Sequence, residues 1–172
     1  MVKFREIAVD QTGKLYLHSM PGRNELWDEA ARAIKQYNIH HILCLNSNAE
    51  IHQKSPEYGA FLADALAVEN LVSQITQISI EDFSIPVDIE SYTAQINLVA
   101  QSLAQGEHIL IHCAAGIGRT GCAAIALLQE LGMSASESQS KVLAAGSNPE
   151  TDEQWGFIRA YQPKGLANER EL

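Results

Sequence analysis

One stretch of the sequence, residues 107–121 (EHILIHCAAGIGRTG), constrains the fold more than any other. It opens with an apolar run from Ile109 to Ile111 that is typical of a buried strand, then passes through a cysteine into small residues. From Arg119 the sequence continues as an apolar helix that extends to Leu131. Small residues let successive backbone N–H groups converge, and a helix N-terminus adds positive charge. The loop is therefore predicted to bind a tetrahedral oxyanion such as phosphate.

Strand-like and helix-like segments alternate along the rest of the chain. The strand-like segments are residues 14–18, 39–45, 74–80 and 109–111, and apolar residues recur at helical spacing between them. This alternation predicts an α/β fold with a central, mostly parallel sheet of about four to five strands, flanked by helices on both faces. Because ligands bind beyond the carboxyl ends of such strands, the cysteine that follows the last of them marks a candidate site.

Helix boundaries are predicted from capping residues and from apolar spacing. Residues 46–56 are polar and are predicted to form a loop, after which apolar residues from Tyr58 to Leu66 line one face of a single helix. The predicted N-caps are Asn24, Asp88, Ser134 and Thr151. The last two are each followed three residues later by Glu or Gln, which is the capping-box pattern.

The size and composition of the chain, 172 residues with 46% apolar and 19% charged, are typical of one globular domain. We expect a single domain over residues 1–172, with its core at about 14–161 and a flexible tail at 162–172. No apolar run approaches the ~20 residues of a membrane span, and no signal-peptide core is present near the N-terminus. The cysteines are Cys44, Cys113 and Cys122. An odd number of cysteines without an export signal predicts free thiols in the cytoplasm.

The charge of the chain limits its partners. A formal net charge of −9 argues against nucleic acid or an anionic membrane as the ligand. After Lys54 there is no Lys or Arg before Arg119, so the predicted anion loop carries the only cation in a long interval. We therefore expect Arg119 to have a local role in that loop.

The loop places a nucleophile beside the predicted anion site. Cys113 lies where backbone donors, the helix N-terminus and Arg119 favour its thiolate form. The guanidinium of Arg119 matches two phosphate oxygens, and the loop amides stabilise the others. Thr120, directly behind the loop, is placed to donate its hydroxyl to the sulfur. The residues predicted to bind the anion are Ala114, Ala115, Gly116, Ile117, Gly118 and Arg119.

A displaced alkoxide or phenoxide needs a proton from a carboxylic acid elsewhere in the chain. The best candidate is Asp82, in the loop of residues 80–86 (IEDFSIP), where apolar neighbours on both sides are able to close over a site. Glu81 and Asp88 are alternatives, although Asp88 is also explained as a helix cap.

Residues 112–121 (HCAAGIGRTG) resemble the HCxxGxGRTG signature of the cysteine-based protein tyrosine phosphatases, and the short chain is similar to their small atypical dual-specificity branch. The resemblance covers residues 14–161, strongly at the signature and loosely elsewhere. It implies a phosphocysteine intermediate on Cys113, Asp82 as the general acid, and no metal or organic cofactor. We expect a cytoplasmic, monomeric protein phosphatase that acts on phosphotyrosine, either alone or together with phosphoserine and phosphothreonine, with a phosphoprotein as its partner.

Three further residues have expected supporting roles. His112, directly before the nucleophile, is expected to orient the loop through hydrogen bonds. Residues 150–157 (ETDEQWGF) resemble the segment that positions the attacking water in this family, which implies that role for Glu150 or Gln154. In the classical tyrosine phosphatases a glutamine stands at the place of Glu150, and Gln154 is alternatively explained as half of a capping box.

Three other functions are alternatives. Residues 116–121 also match the G-x-G-x-x-G turn that binds dinucleotides, but that fold needs a further strand, and only helical patterns and polar loops follow Leu131. A phosphate-binding module without catalysis would lack the nucleophile, the arginine or the acid. The third alternative is a phosphatase for a phosphoinositide or nucleotide. Phosphoinositide-directed relatives carry lysines in the loop, where this chain has Ala114, Ala115 and Ile117.

Overall fold

A five-stranded sheet lies at the centre of the computed structural model, which describes residues 1–166. The strands are β1 (Arg5–Ile7), β2 (Leu15–His18), β3 (His41–Cys44), β4 (Gln74–Gln77) and β5 (Ile109–His112). Their order across the sheet is β1-β2-β5-β3-β4. The edge strand β1 pairs antiparallel with β2, and the other pairings are parallel. The mostly parallel sheet predicted from the sequence is confirmed.

Helices cover both faces of this sheet, as predicted. They are α1 (Trp27–Gln36), α2 (Asn48–Lys54), α3 (Pro56–Ala63), α4 (Ala65–Leu71), α5 (Ile89–Ala104), α6 (Gly118–Glu130), α7 (Ala135–Ala144) and α8 (Asp152–Ala160). Successive residues of a strand point to opposite faces. Leu43 and Ile111 accordingly belong to the apolar cluster formed with α5 and α6, whereas Ile42 and Leu110 belong to the cluster formed with α1.

The helix α6 is buried on every side, as its continuous apolar sequence predicts. It contacts β5 as well as the surrounding helices α5, α7 and α8. Its first residue, Gly118, lies at the end of the loop that follows β5. The most buried helix of the fold therefore begins at the candidate site.

Three of the four predicted N-caps are confirmed, and one is wrong. The confirmed caps, each accepting a hydrogen bond from the backbone N–H three residues later, are Asp88, Ser134 and Thr151. Asn24 lies before α1, which begins at Trp27, and its side chain donates to the hydroxyl of Ser19 instead. The free N–H of Leu26 is satisfied by the carboxylate of Glu29.

The predicted loop at residues 46–56 is wrong, because most of it forms α2. Ser47 caps this helix by accepting a hydrogen bond from the N–H of Glu50 at 3.2 Å. Ile51 is the only buried residue of α2, so the sequence has no apolar periodicity that would reveal the helix.

The single helix predicted from Tyr58 to Leu66 is two helices, α3 and α4. Asp64 separates them, and its side chain caps α4 by accepting from the N–H of Ala67 at 3.2 Å. Leu66 is therefore exposed on the second helix and does not extend the buried face of the first.

The C-terminal segment returns to the far end of α6. The backbone N–H groups of Lys164 and Gly165 donate to the buried carboxylate of Glu130, at 3.2 and 2.8 Å. From residue 167 onward, the tail predicted at 162–172 lies outside the described residues. No helix within residues 1–166 is long and apolar enough to cross a membrane.

Candidate active site

The loop between β5 and α6, residues 113–119, is called the signature loop below. It curls tightly beside the end of β2, and a Cβ at Gly116 would overlap the carbonyl oxygen of His18. Gly116 also has φ +75°, a conformation that glycine adopts without steric cost. A second tight contact lies behind the loop, where a Cβ at Gly121 would be 2.7 Å from the backbone nitrogen of Asn148. Both glycines are required by close backbone packing.

Cys113 and Thr120 are brought together by the turn from the loop into α6. The Thr120 hydroxyl donates to the sulfur of Cys113 at 3.1 Å, which is the contact expected from the sequence. Thr120 is fully buried, and Cys113 is almost so. The Thr120 hydroxyl is therefore a buried donor to the sulfur.

Arg119 is buried and engaged by three carboxylate oxygens. Its Nη1 donates to Glu50 Oε2 at 2.8 Å, and its Nη2 donates to Glu50 Oε1 at 2.9 Å. Nη1 also donates to the carbonyl of Ile80 at 2.8 Å, and Nη2 to Asp82 Oδ1 at 3.2 Å. The guanidinium therefore joins α2, the signature loop and the loop that carries the predicted acid.

Glu50 is the main partner of Arg119, and sequence reasoning misses it. Besides the two-pronged contact with Arg119, it accepts from Asn46 Nδ2 at 3.0 Å and from Lys54 Nζ at 2.9 Å. Burial alone raises the pKa of Glu50, but the hydrogen bonds from Arg119, Asn46 and Lys54 outweigh it and lower the pKa to about 2. No signal in the sequence marks this residue, since it lies in a segment predicted to be a loop.

The loop of residues 80–86, called the acid loop below, brings Asp82 to the site. Asp82 contacts Arg119 and accepts from the N–H of Phe83 at 3.0 Å, while about half of its side chain stays exposed. Phe83 has φ 61°, an uncommon conformation for a residue with a side chain. Of the two alternatives, Asp88 caps α5, and Glu81 makes no side-chain hydrogen bond within residues 1–166. Asp82 is thus the carboxylate of this loop that lies beside Arg119.

His112 is fully buried behind the nucleophile position. Its Nδ1 lies 3.1 Å from the carbonyl oxygen of Cys113, which is only an acceptor, so Nδ1 carries the proton. Its Nε2 then accepts from the hydroxyl of Tyr58 at 2.8 Å. Burial lowers the pKa of His112 to about 4. The ring is therefore neutral and holds the strand end through two hydrogen bonds.

Glu150 and Gln154 lie next to the loop but make different contacts. The Glu150 carboxylate lies against the Cα of Gly118. Gln154 is buried, and its Oε1 accepts from the N–H of Glu150 at 2.7 Å while its Nε2 donates to the carbonyl of Ser84 at 3.2 Å. Gln154 does not complete a capping box with Thr151, because its Oε1 accepts from the N–H of Glu150 instead, and its Nε2 holds the acid loop.

Arg5 is a second cation at the signature loop that sequence reasoning misses. Its Nη2 donates to the carbonyl of Gly116 at 2.6 Å, and its Nη1 donates to the hydroxyl of Ser147 at 2.8 Å. Ser147 in turn donates to the same carbonyl at 2.6 Å. The arginine arrives on β1, from a part of the chain that shows no motif.

The other two cysteines are buried and unbridged. Cys44 lies on β3 and Cys122 on α6, and all three cysteines are free thiols. Burial raises the pKa of both Cys44 and Cys122 to about 12. Both side chains are therefore neutral and serve as small core residues.

Comparison with known protein families gives one match over most of the chain. Residues 17–132 match the model of a family described as "Polymorphic toxin system, DSP-PTPase phosphatase". No curated protein sequence matches the chain.

Several solved structures share the fold at low sequence identity. A kinase-associated phosphatase with serine in place of its catalytic-site cysteine has a TM-score of 0.77 and 17% identity, covering 94% of this chain and 98% of that one. Tk-PTP in its active form has a TM-score of 0.65 and 23% identity, covering 90% and 94%. The core catalytic domain of the PP-IP phosphatase SIW14 from S. cerevisiae has a TM-score of 0.62 and 17% identity, covering 92% and 85%. At these sequence identities the similarity shows that the fold is shared, and it shows nothing about the substrate.

Proposed function

Because the chain belongs to the DSP-PTPase phosphatase family of polymorphic toxin systems, we propose that it removes phosphate from phosphotyrosine on a protein, either alone or together with phosphoserine and phosphothreonine. The family is one of cysteine-based phosphatases with the observed fold. The supporting observation is the convergence of Cys113, Arg119 and Asp82 around one loop. These groups supply a nucleophile, an anion-binding cation and an acid.

In the first step of the proposed reaction, the Cys113 thiolate attacks phosphorus and forms an S–P bond. The bond from phosphorus to the leaving oxygen breaks, and Asp82 gives its proton to that oxygen. Arg119 and the amides of residues 114–119 stabilise the equatorial phosphate oxygens. The protein alcohol or phenol then leaves, and phosphocysteine remains.

In the second step, water attacks phosphorus and the S–P bond breaks. Asp82, now ionised, takes a proton from the water, and inorganic phosphate is released with the thiolate restored. The Thr120 hydroxyl, 3.1 Å from the sulfur, stabilises the departing thiolate. Of the two residues implied to position the water, Glu150 is the better candidate. Its carboxylate lies beside Gly118, whereas both polar atoms of the Gln154 amide are already engaged.

The side chains of the signature loop support a protein substrate. A ligand with several phosphate groups needs additional cations around the site. Positions 114, 115 and 117 carry Ala, Ala and Ile, and Arg5 is engaged by the carbonyl of Gly116. The PP-IP phosphatase SIW14 has a similar fold, but its substrate does not transfer at 17% identity.

Hydrolysis of a small aryl phosphate in the presence of a chelator tests the proposed reaction. We expect activity that the chelator leaves unchanged and that Cys113→Ser abolishes, because a hydroxyl is far less nucleophilic than a thiolate. Cys122→Ser is the matched control and should retain activity, since the Cys122 thiol is neutral. Undiminished activity in Cys113→Ser would contradict the assignment of the nucleophile.

The leaving-group dependence of Asp82→Asn tests the assignment of the acid. We expect turnover of an alkyl phosphate to fall by about 100-fold or more, the usual range of general-acid catalysis. The loss on an activated aryl phosphate should be much smaller, because that leaving group needs no proton. Equal losses on both substrates would mean that Asp82 has a structural role.

A further inference from the structure

Four carboxylates, Glu81, Asp82, Glu150 and Asp152, lie on the two segments next to the signature loop, and we call them the acidic rim. Asp82 is held at Arg119, and Glu81 precedes it in the acid loop. The Glu150 carboxylate lies against Gly118. Asp152 follows Thr151, whose hydroxyl donates to the carbonyl of Phe83 at 3.4 Å. All four side chains are exposed.

The charge of this rim is hardly neutralised. Asp82 pairs with Arg119, but the other three carboxylates form no ion pair within the described residues. The sequence has no Lys or Arg in residues 76–90 or in residues 145–158, which include the rim. The nearby cations are committed elsewhere, since Lys54 is bonded to Glu50 and Arg5 to the carbonyl of Gly116. A phosphate group that approaches the signature loop therefore passes carboxylates with little opposing charge.

Apolar side chains are exposed in the same region. Phe83, Val87 and Ile89 have exposed fractions of 55%, 99% and 50%. They lie within seven consecutive residues that begin at the acid loop. Exposed apolar groups between carboxylates do not suit a polyanionic small molecule, but they suit a peptide chain with apolar and cationic side chains.

We propose that the acidic rim selects phosphorylated peptide segments that carry Lys or Arg next to the phosphorylated residue. This inference rests on the proposed function, since it concerns the same site. The flanking cations pair with Glu81, Glu150 and Asp152 while the phosphate enters the signature loop. Acidic flanks and polyphosphorylated ligands are repelled by the same carboxylates.

The size of the preference follows from ordinary surface electrostatics. One exposed carboxylate–cation pair contributes a factor of about two to five in binding. Two or three such pairs give a preference of about tenfold in kcat/KM. Because the pairs are exposed to solvent, the preference must weaken as salt shortens the range of the interaction.

The test compares phosphotyrosine peptides of equal length that differ only in their flanking residues. With Lys or Arg on both sides we expect kcat/KM to exceed that of the Ala-flanked peptide by about tenfold at low salt, and that of the Glu-flanked peptide by more. At about 0.5 M salt the three values should converge. A small aryl phosphate has no flanking cations, so its kcat/KM should not fall with salt in the same way.

A pair of rim substitutions separates this inference from the reaction itself. Glu81→Gln with Asp152→Asn should remove most of the preference for basic flanks while leaving aryl phosphate hydrolysis within about twofold. The matched control is Asp10→Asn with Glu137→Gln, two exposed carboxylates beside the far end of α6, about 20 Å along that helix from the loop. This control changes the net charge equally and should keep the preference.

Two outcomes would overturn the inference and leave the proposed reaction standing. One is equal or better use of the Glu-flanked peptide by an enzyme that hydrolyses aryl phosphate. The other is faster hydrolysis of phosphoinositide vesicles than of any peptide by the same enzyme, which would also contradict the proposed protein substrate. Loss of all activity, including that on aryl phosphate, would instead refute the proposed function.

Discussion

Arg119 bonds to other residues through its two terminal nitrogens and leaves its third nitrogen without an acceptor in the described residues. Both terminal nitrogens are taken up by Glu50, Ile80 and Asp82, whereas Nε has no acceptor within residues 1–166 although it is buried. A buried donor without a partner is costly, so a phosphate oxygen that accepts from Nε would remove that cost on binding. The contact with Asp82 is the longest of the four and involves the most exposed partner, and it is therefore the easiest to exchange for a phosphate oxygen.

Replacement of Glu50 by Gln tests how strongly this carboxylate supports Arg119. The folded pKa of Glu50, about 2, is below its unfolded value, so its stabilising effect is present above about pH 4.5 and is lost as the pH falls toward 2. We expect Glu50→Gln to lower the free energy of unfolding by about 2 kcal/mol at pH 7. The difference from the unmodified chain should shrink between about pH 4.5 and pH 2.

Urea unfolding at several pH values measures this effect. Glu57→Gln is the matched control, because Glu57 is exposed on α3 and forms no ion pair within the described part of the chain. Its small effect should not vary with pH in the same way. If the destabilisation by Glu50→Gln stayed constant down to pH 2, the ionised carboxylate would not be the stabilising group.

The contact between Cys113 and Thr120 could be predicted from the sequence, whereas the contacts made by Glu50 and Arg5 could not. The Thr120 contact lies within a ten-residue motif and follows from local geometry. Glu50 lies 69 residues from Arg119, and Arg5 lies 111 residues from Gly116. Long-range partners of this kind depend on which strands become neighbours, and a single sequence does not give that pairing. Glu50 also lies on a helix without an apolar face, so the sequence does not predict that helix.

At the level of elements, the acid loop is held between α6 and α8. Arg119 holds it through the Ile80 carbonyl and Asp82, and α8 holds it through Thr151 and Gln154. Gln154 is the more important contact on the α8 side, because its buried amide links the loop to the backbone of Glu150. The proposed reaction needs Asp82 within hydrogen-bond reach of the leaving oxygen, so this support bears on the proposed proton transfer.

Replacement of Gln154 by Leu should act through the position of Asp82. Leucine fills a similar volume but removes both hydrogen bonds of the amide. We expect turnover of an alkyl phosphate to fall by about tenfold, the equivalent of one or two hydrogen bonds, with a smaller loss on an activated aryl phosphate. Steady-state kinetics on the two substrates measures the difference.

A double variant distinguishes positioning from general damage. If Gln154 acts by placing Asp82, adding Gln154→Leu to Asp82→Asn should cause little further loss on the alkyl phosphate. Gln129→Leu, at a buried glutamine near the far end of α6, is the matched control and should leave the ratio of the two activities unchanged. If the losses in turnover from the two substitutions multiplied in the double variant, Gln154 would not act through Asp82.

At the scale of the whole molecule, both terminal segments of the described chain return to α6 and its loop. Arg5 of the N-terminal strand bonds to Gly116 at the start, and Gly165 bonds to Glu130 at the end. The helix periods and caps that predicted most elements say nothing about this arrangement. A short strand with charged residues and a segment after the last helix carry no periodic signal.

Glu130 is the residue through which the C-terminal segment is held. Its fully buried carboxylate accepts four hydrogen bonds, and no cation pairs with it in residues 1–166. The donors are Asn97 Nδ2, the Tyr161 hydroxyl, and the N–H groups of Lys164 and Gly165. A carboxylate has about four acceptor positions, so all of them are filled. A glutamine at this position would point its amide N–H groups at donors that now bond to the carboxylate.

We therefore expect Glu130→Gln to lower the free energy of unfolding by about 2–4 kcal/mol, since at least two buried donors lose their acceptor. Activity per folded molecule should not change, because α6 separates this end from the loop by about 20 Å. Truncation after Tyr161 removes two of the four donors, so Glu130→Gln should cost less in the shortened chain than in the full one. Equal costs in the two backgrounds would mean that the C-terminal segment is not held through Glu130.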